Sequence, residues 1–119
     1  MHGVARYDMT LTGDVDRFLG HLDGTILSGS ISANLEDSAD HRLGDARMVL
    51  RVYERYSAFG GSRVSLSISV LAVGEQMSVT AIPSGGSQAM FWKVNRLGEE
   101  SFLNKAIDAI QMWKRVSER

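Results

Sequence analysis

The 119 residues include 44% apolar and 23% charged side chains, with 13 Lys and Arg against 14 Asp and Glu. That is the composition of one ordinary globular domain, spanning 1–119, with no global field to gather nucleic acid or an anionic membrane. The absence of cysteine excludes disulfides, thiolate nucleophiles and Cys-held metal centres, and no apolar run reaches the ~18 residues of a membrane span or forms a secretion signal, so a soluble cytoplasmic domain is expected.

Residues 4–12 alternate apolar and polar side chains, the period of a strand with one face buried. From Asp14 the period changes: Val15, Phe18, Leu19, Leu22 and Ile26 recur at helical spacing, Asp14 can cap the first amides and Gly29 can end the segment. A helix over 15–27 is predicted. A short strand follows at "SISANLED", and the polar stretch 37–45 is read as its loop. Residues 46–57 and 63–72 alternate again, and two further strands are expected at 75–83 and 88–95, with Gly74 in the turn before the first of them. The chain closes with Phe102, Leu103, Ala106, Ile107, Ile110 and Trp113 on one stripe, predicting a helix over 99–116 with Lys114 and Arg115 near its carbonyl end.

Gly-Gly-Ser occurs twice, at 60–62 and 85–87. Neither has the spacing of a phosphate-binding loop, and both join alternating runs, so Gly60-Gly61 and Gly85-Gly86 are read as turns. Together the elements predict an α+β fold: an antiparallel meander sheet of five or six strands, first strand beside last, with both helices on one face. The element order resembles helix-grip and TATA-binding-protein-like domains. The segments "GSISANLED", "RVYERYS", "GGSRVSLS", "SGGSQAMFWK" and "GEESF" resemble a family of small uncharacterised bacterial domains. That resemblance covers nearly the whole chain; it implies a stand-alone domain and transfers no activity.

Candidate functional residues are few. In the strand over 46–57, Ala46, Met48, Leu50 and Val52 are taken as the core face, leaving Arg47, Val49, Arg51, Tyr53 and Arg55 on the open one. Arg and Tyr on an open sheet can hold an anion or stack bases, although balanced charge argues against nucleic acid and cross-strand pairing with Glu36 is the plainer reading. Ser65, Ser67, Ser69, Ser78 and Thr80 are assigned to that same face, a solvated surface or one on which a second copy packs through Tyr53, Leu71 and Ile82. Met90, Trp92 and Trp113 can line an apolar cavity between sheet and final helix, or simply fill the core. Glu36, Asp37, Asp40, His41 and Asp45 match no metal-loop spacing, and no serine lies in a nucleophile motif, so neither a metal nor a cofactor is expected.

The sequence therefore points to a non-catalytic binding domain that takes an apolar or anionic small ligand between sheet and C-terminal helix, or a protein partner. A structural homodimer built on the open sheet face is the alternative. An enzyme using the 36–45 acidic stretch and His41 comes third.

Overall fold

Alternating strands joined by glycine turns generate one sheet. The computed structural model describes residues 6–29, 31–56, 63–85 and 92–117, with the backbone alone over 92–100. Its elements run β1 (Tyr7–Thr12), α1 (Val15–Ser28), β2 (Asn34–Leu43), β3 (Ala46–Tyr56), β4 (Arg63–Val73), β5 (Gln76–Gly85) and α2 (Trp92–Ser117). The five strands form a single antiparallel sheet in the order β1-β5-β4-β3-β2, so the first strand lies beside the last. Gly44 and Gly74, each at φ 60°, open two-residue turns into β3 and β5 and supply the positive φ such tight hairpins demand. Asp14 caps α1, its carboxylate accepting from the Arg17 amide at 2.9 Å, and Gly29 closes it.

Two expectations are corrected. Residues 37–43 are strand rather than loop. β2 is an edge strand exposed on most of its length, so it carries charges in place of the alternation that marks a half-buried strand. The strand expected at 88–95 is helix from Trp92 onward, while 88–91 lie outside the described residues. A short apolar run does not distinguish strand from helix, and extending a helix backward adds one hydrogen bond per residue without a new nucleus. Glu99 and Glu100 consequently lie within α2, not at its start. The turns expected at Gly60-Gly61 and at Gly86 also fall outside the described residues, and Gly85 ends β5 opposite Val64.

Both helices cover the same face. Leu11, Met77, Val79, Val64, Leu66, Ile68 and Val70 from the sheet meet Phe18, Leu22 and Ile26 of α1 and Phe102 and Ile110 of α2, all essentially inaccessible to water. The two helices lie antiparallel, Phe18 beside Trp113 and Gly29 beside Lys105.

Strand pairing fixes which face each β3 residue shares. Val49 pairs with Val70, Arg51 with Ile68, Tyr53 with Leu66 and Arg55 with Val64, so the odd-numbered residues face the helices. Val49 and Tyr53 are 0% exposed. The assignment of Arg47, Val49, Arg51, Tyr53 and Arg55 to the open face is thus reversed, and Ala46, Met48, Leu50 and Val52 lie on the uncovered side.

Candidate functional site

The helix-facing side of β3 carries an arginine at every fourth position, with Val49 and Tyr53 between. Two of the three meet carboxylates. Arg47 donates to Asp40 of β2 through Nε at 3.0 Å and Nη2 at 2.7 Å, and to Asp16 of α1 at 3.0 Å. Hydrogen bonding to Arg47 holds both carboxyls below their ordinary range, and the same contacts raise the guanidinium. Arg51 grips Asp23 of α1 in a fork, Nε to Oδ1 at 3.2 Å and Nη2 to Oδ2 at 3.1 Å. The Tyr53 hydroxyl donates to the same Asp23. Burial, reinforced by that bond, pushes the phenol well above its ordinary value. Every polar group here has a partner, so Arg47, Arg51 and Tyr53 fasten α1 to the sheet.

Arg55 differs. Its guanidinium lies 4.5 Å over the Phe102 ring and donates to Ser101 Oγ at 2.9 Å. Trp113 is tied down at its polar end: its indole N–H donates to the Thr12 carbonyl at 2.9 Å, and its ring stands edge-on to Phe18. Gly13, at φ 128°, lets the indole approach so closely that a Cβ there would lie 2.9 Å from it. His21 meets the Ala109 carbonyl through Nε2 at 2.8 Å, a second tie between the helices. Met90 lies outside the described residues, and Trp92 is described only as the first residue of α2.

The acidic segment does not gather. Along β2, Asp40 faces the helices with Arg47 while His41, opposite Met48, faces away. Among the described residues no group of three His or carboxylate side chains is arranged to hold a metal ion.

On the uncovered face, sequence reasoning missed the principal feature. Ala46, Met48, Leu50 and Val52 form an apolar row bordered by Leu43 (85% exposed), Leu71 (49%) and Val73 (51%). Beside it runs a furrow of small hydroxyls, with Ser69 and Ser67 opposite Leu50 and Val52, and Thr80 and Ser78 on β5 beyond. A depression of about 160 Å3 lies where Thr10, Leu71, Val73, Gln76, Met77 and Ser78 meet. The register that exposes this face is not legible from strand ends read at 57 and 63, which leave five residues between them. Six residues separate Tyr56 from Arg63, a pairing that sets odd positions of β3 against the evidently buried even positions of β4.

Residues 4–114 match the model of a family described as a family of unknown function, DUF6054. The chain belongs to DUF6054. No curated protein and no solved structure matches it. What this DUF6054 chain offers for function is therefore its own surface. Among the described residues no helix is long and apolar enough to cross a membrane.

Proposed function

We propose that this chain is a non-catalytic cytoplasmic association module that binds a second copy of itself through the open face of its sheet. The observation that carries the reading is the row Ala46, Met48, Leu50 and Val52, with Leu43, Leu71 and Val73, on a face neither helix covers. A contiguous apolar patch of this kind marks an interaction surface, whereas scattered exposed apolar residues do not.

Shape favours a copy of the same chain. The β3 row is a ridge and the Ser67, Ser69, Ser78 and Thr80 strip is a furrow beside it. A two-fold axis parallel to the sheet, running along the strands between β3 and β4, turns one open face onto the other and lays each ridge over the partner's furrow, the self-complementarity an isologous interface requires. Size agrees: four strands of ten or eleven residues and the six-residue β1, ~4.8 Å apart and rising ~3.3 Å per residue, present roughly 700 Å2, close to what each partner of a standard interface buries. Edge-to-edge growth is discouraged by the charged edge strand β2, with Asp37, Asp40, His41 and Arg42 along it and a bulge between Leu35 and Asp37. The arginines behind a nucleic-acid reading face the helices, and Arg47 and Arg51 are neutralised there.

Sedimentation velocity across a concentration series up to several hundred micromolar tests the proposal. A monomer–dimer equilibrium is expected, moved to monomer by Leu71→Lys or Ile82→Lys, both at exposed positions where the monomer fold tolerates a charge. Monomer throughout the series refutes it, as does a dimer untouched by both substitutions.

A further inference from the structure

Arginines recur every four residues along the covered face of β3, and the third breaks the pattern of the first two. Arg47 has Asp16 and Asp40, and Arg51 has Asp23. Arg55 has no carboxylate partner among the described residues; its contacts are the Ser101 hydroxyl at 2.9 Å and the face of Phe102, itself 0% exposed. The ring attracts the cation without neutralising it, and a single hydroxyl occupies one of five N–H donors. Partial burial without a counter-charge disfavours the charged form, and the guanidinium is correspondingly lowered.

A second cation stands one helical turn away. Lys105 follows Ser101 by four residues on α2, the spacing that stacks side chains on one helix face. Its alkyl chain covers Gly29, where an added Cβ would fall 2.7 Å from Cε, placing the ammonium beside the carbonyl end of α1. No basic residue stands in the last turn of α1, and Lys105 has no carboxylate partner among the described residues. Ser101 is exposed and accepts from Arg55, and its own O–H has no acceptor among the described residues.

We propose that the corner formed by Arg55, Ser101 and Lys105 binds a small oxyanion, a carboxylate or a phosphate. The guanidinium is held over the Phe102 ring, and its remaining donors belong to the planar fork that matches two oxygens of one anion. The Ser101 hydroxyl supplies a further donor, and Lys105 adds charge from the next turn. The site lies between β3 and α2 on the covered side of the sheet, so it does not depend on the association proposed for the open face.

The test is an NMR titration of the 15N-labelled chain with inorganic phosphate and, separately, with succinate, each against sodium chloride at matched ionic strength. Saturable shifts of the Arg55 Nε–Hε signal and the Ser101 amide are expected, and the anion that saturates at lower concentration identifies the preferred oxygen donor. Arg55→Met keeps the alkyl packing on Phe102 and is expected to weaken binding at least about tenfold. Ser101→Ala, at an exposed helix position, should weaken it less while leaving the spectrum folded. A response no larger than chloride's, or one that survives intact in folded Arg55→Met, overturns the proposal.

Discussion

Asp23 accepts three hydrogen bonds from two side chains of the neighbouring strand, two from Arg51 and one from Tyr53. Exposed ion pairs contribute about 0–1 kcal/mol, while breaking a buried one costs about 3–5 kcal/mol because the surviving charge loses its partner. The Arg51 and Asp23 side chains, 19% and 28% exposed, fall between these cases. Asp23→Ala is therefore expected to destabilise the fold by about 2 kcal/mol, since it strands both Arg51 and the buried phenol. Tyr53→Phe removes one bond and leaves the fork in place, so about 1 kcal/mol is expected. Urea unfolding of both variants and of the double mutant reads the coupling. Additive losses would show that Asp23 and the phenol do not interact in solution, contrary to the hydrogen bond described here.

At the scale of elements, Arg47 joins three of them, β3 to β2 through Asp40 and β3 to α1 through Asp16. Both carboxyls are held below the ordinary value of about 4 by Arg47. Because the folded values lie below the unfolded ones, the stabilisation is complete above about pH 4 and is lost as pH falls through the folded values. The urea midpoint should therefore drop more steeply between pH 5 and pH 2 in the native chain than in Arg47→Met. Identical slopes would mean that these contacts do not persist in solution.

The legibility of the sequence divides along the same elements. β4, with Val64, Leu66, Ile68 and Val70 against Ser65, Ser67 and Ser69, announces its buried face, and so do α1 with its Asp14 cap and the stripe of α2 from Phe102 to Trp113. β3 does not, because both of its faces contain apolar residues and the charged one is the buried one. Arg47 and Arg51 are admissible against the helices because Asp16 and Asp23 arrive from α1, a tertiary fact absent from the strand's own pattern. Of the residues singled out as candidate ligand contacts, Arg47, Arg51 and Tyr53 prove to be fasteners, and Trp113 a tie to Thr12.

For the whole molecule, the two faces of the sheet divide the work. The covered face contains the core and the polar fasteners, so changes there act on stability. Among the described residues the open face packs only on its cross-strand neighbours, so changes there act on association. Linkage makes this measurable in one experiment, since a dimer that dissociates on unfolding is stabilised by mass action. The melting temperature should rise by a few degrees for each tenfold increase in protein concentration, as a free-energy gain of about 1 kcal/mol implies for a chain of this size. Leu71→Lys should flatten that dependence while leaving the dilute-limit melting temperature nearly unchanged, because Leu71 is half exposed in the monomer. Asp23→Ala should do the reverse, lowering the whole curve without altering its slope. If Asp23→Ala also flattens the curve, the open face depends on the seating of α1 and the two faces are not independent.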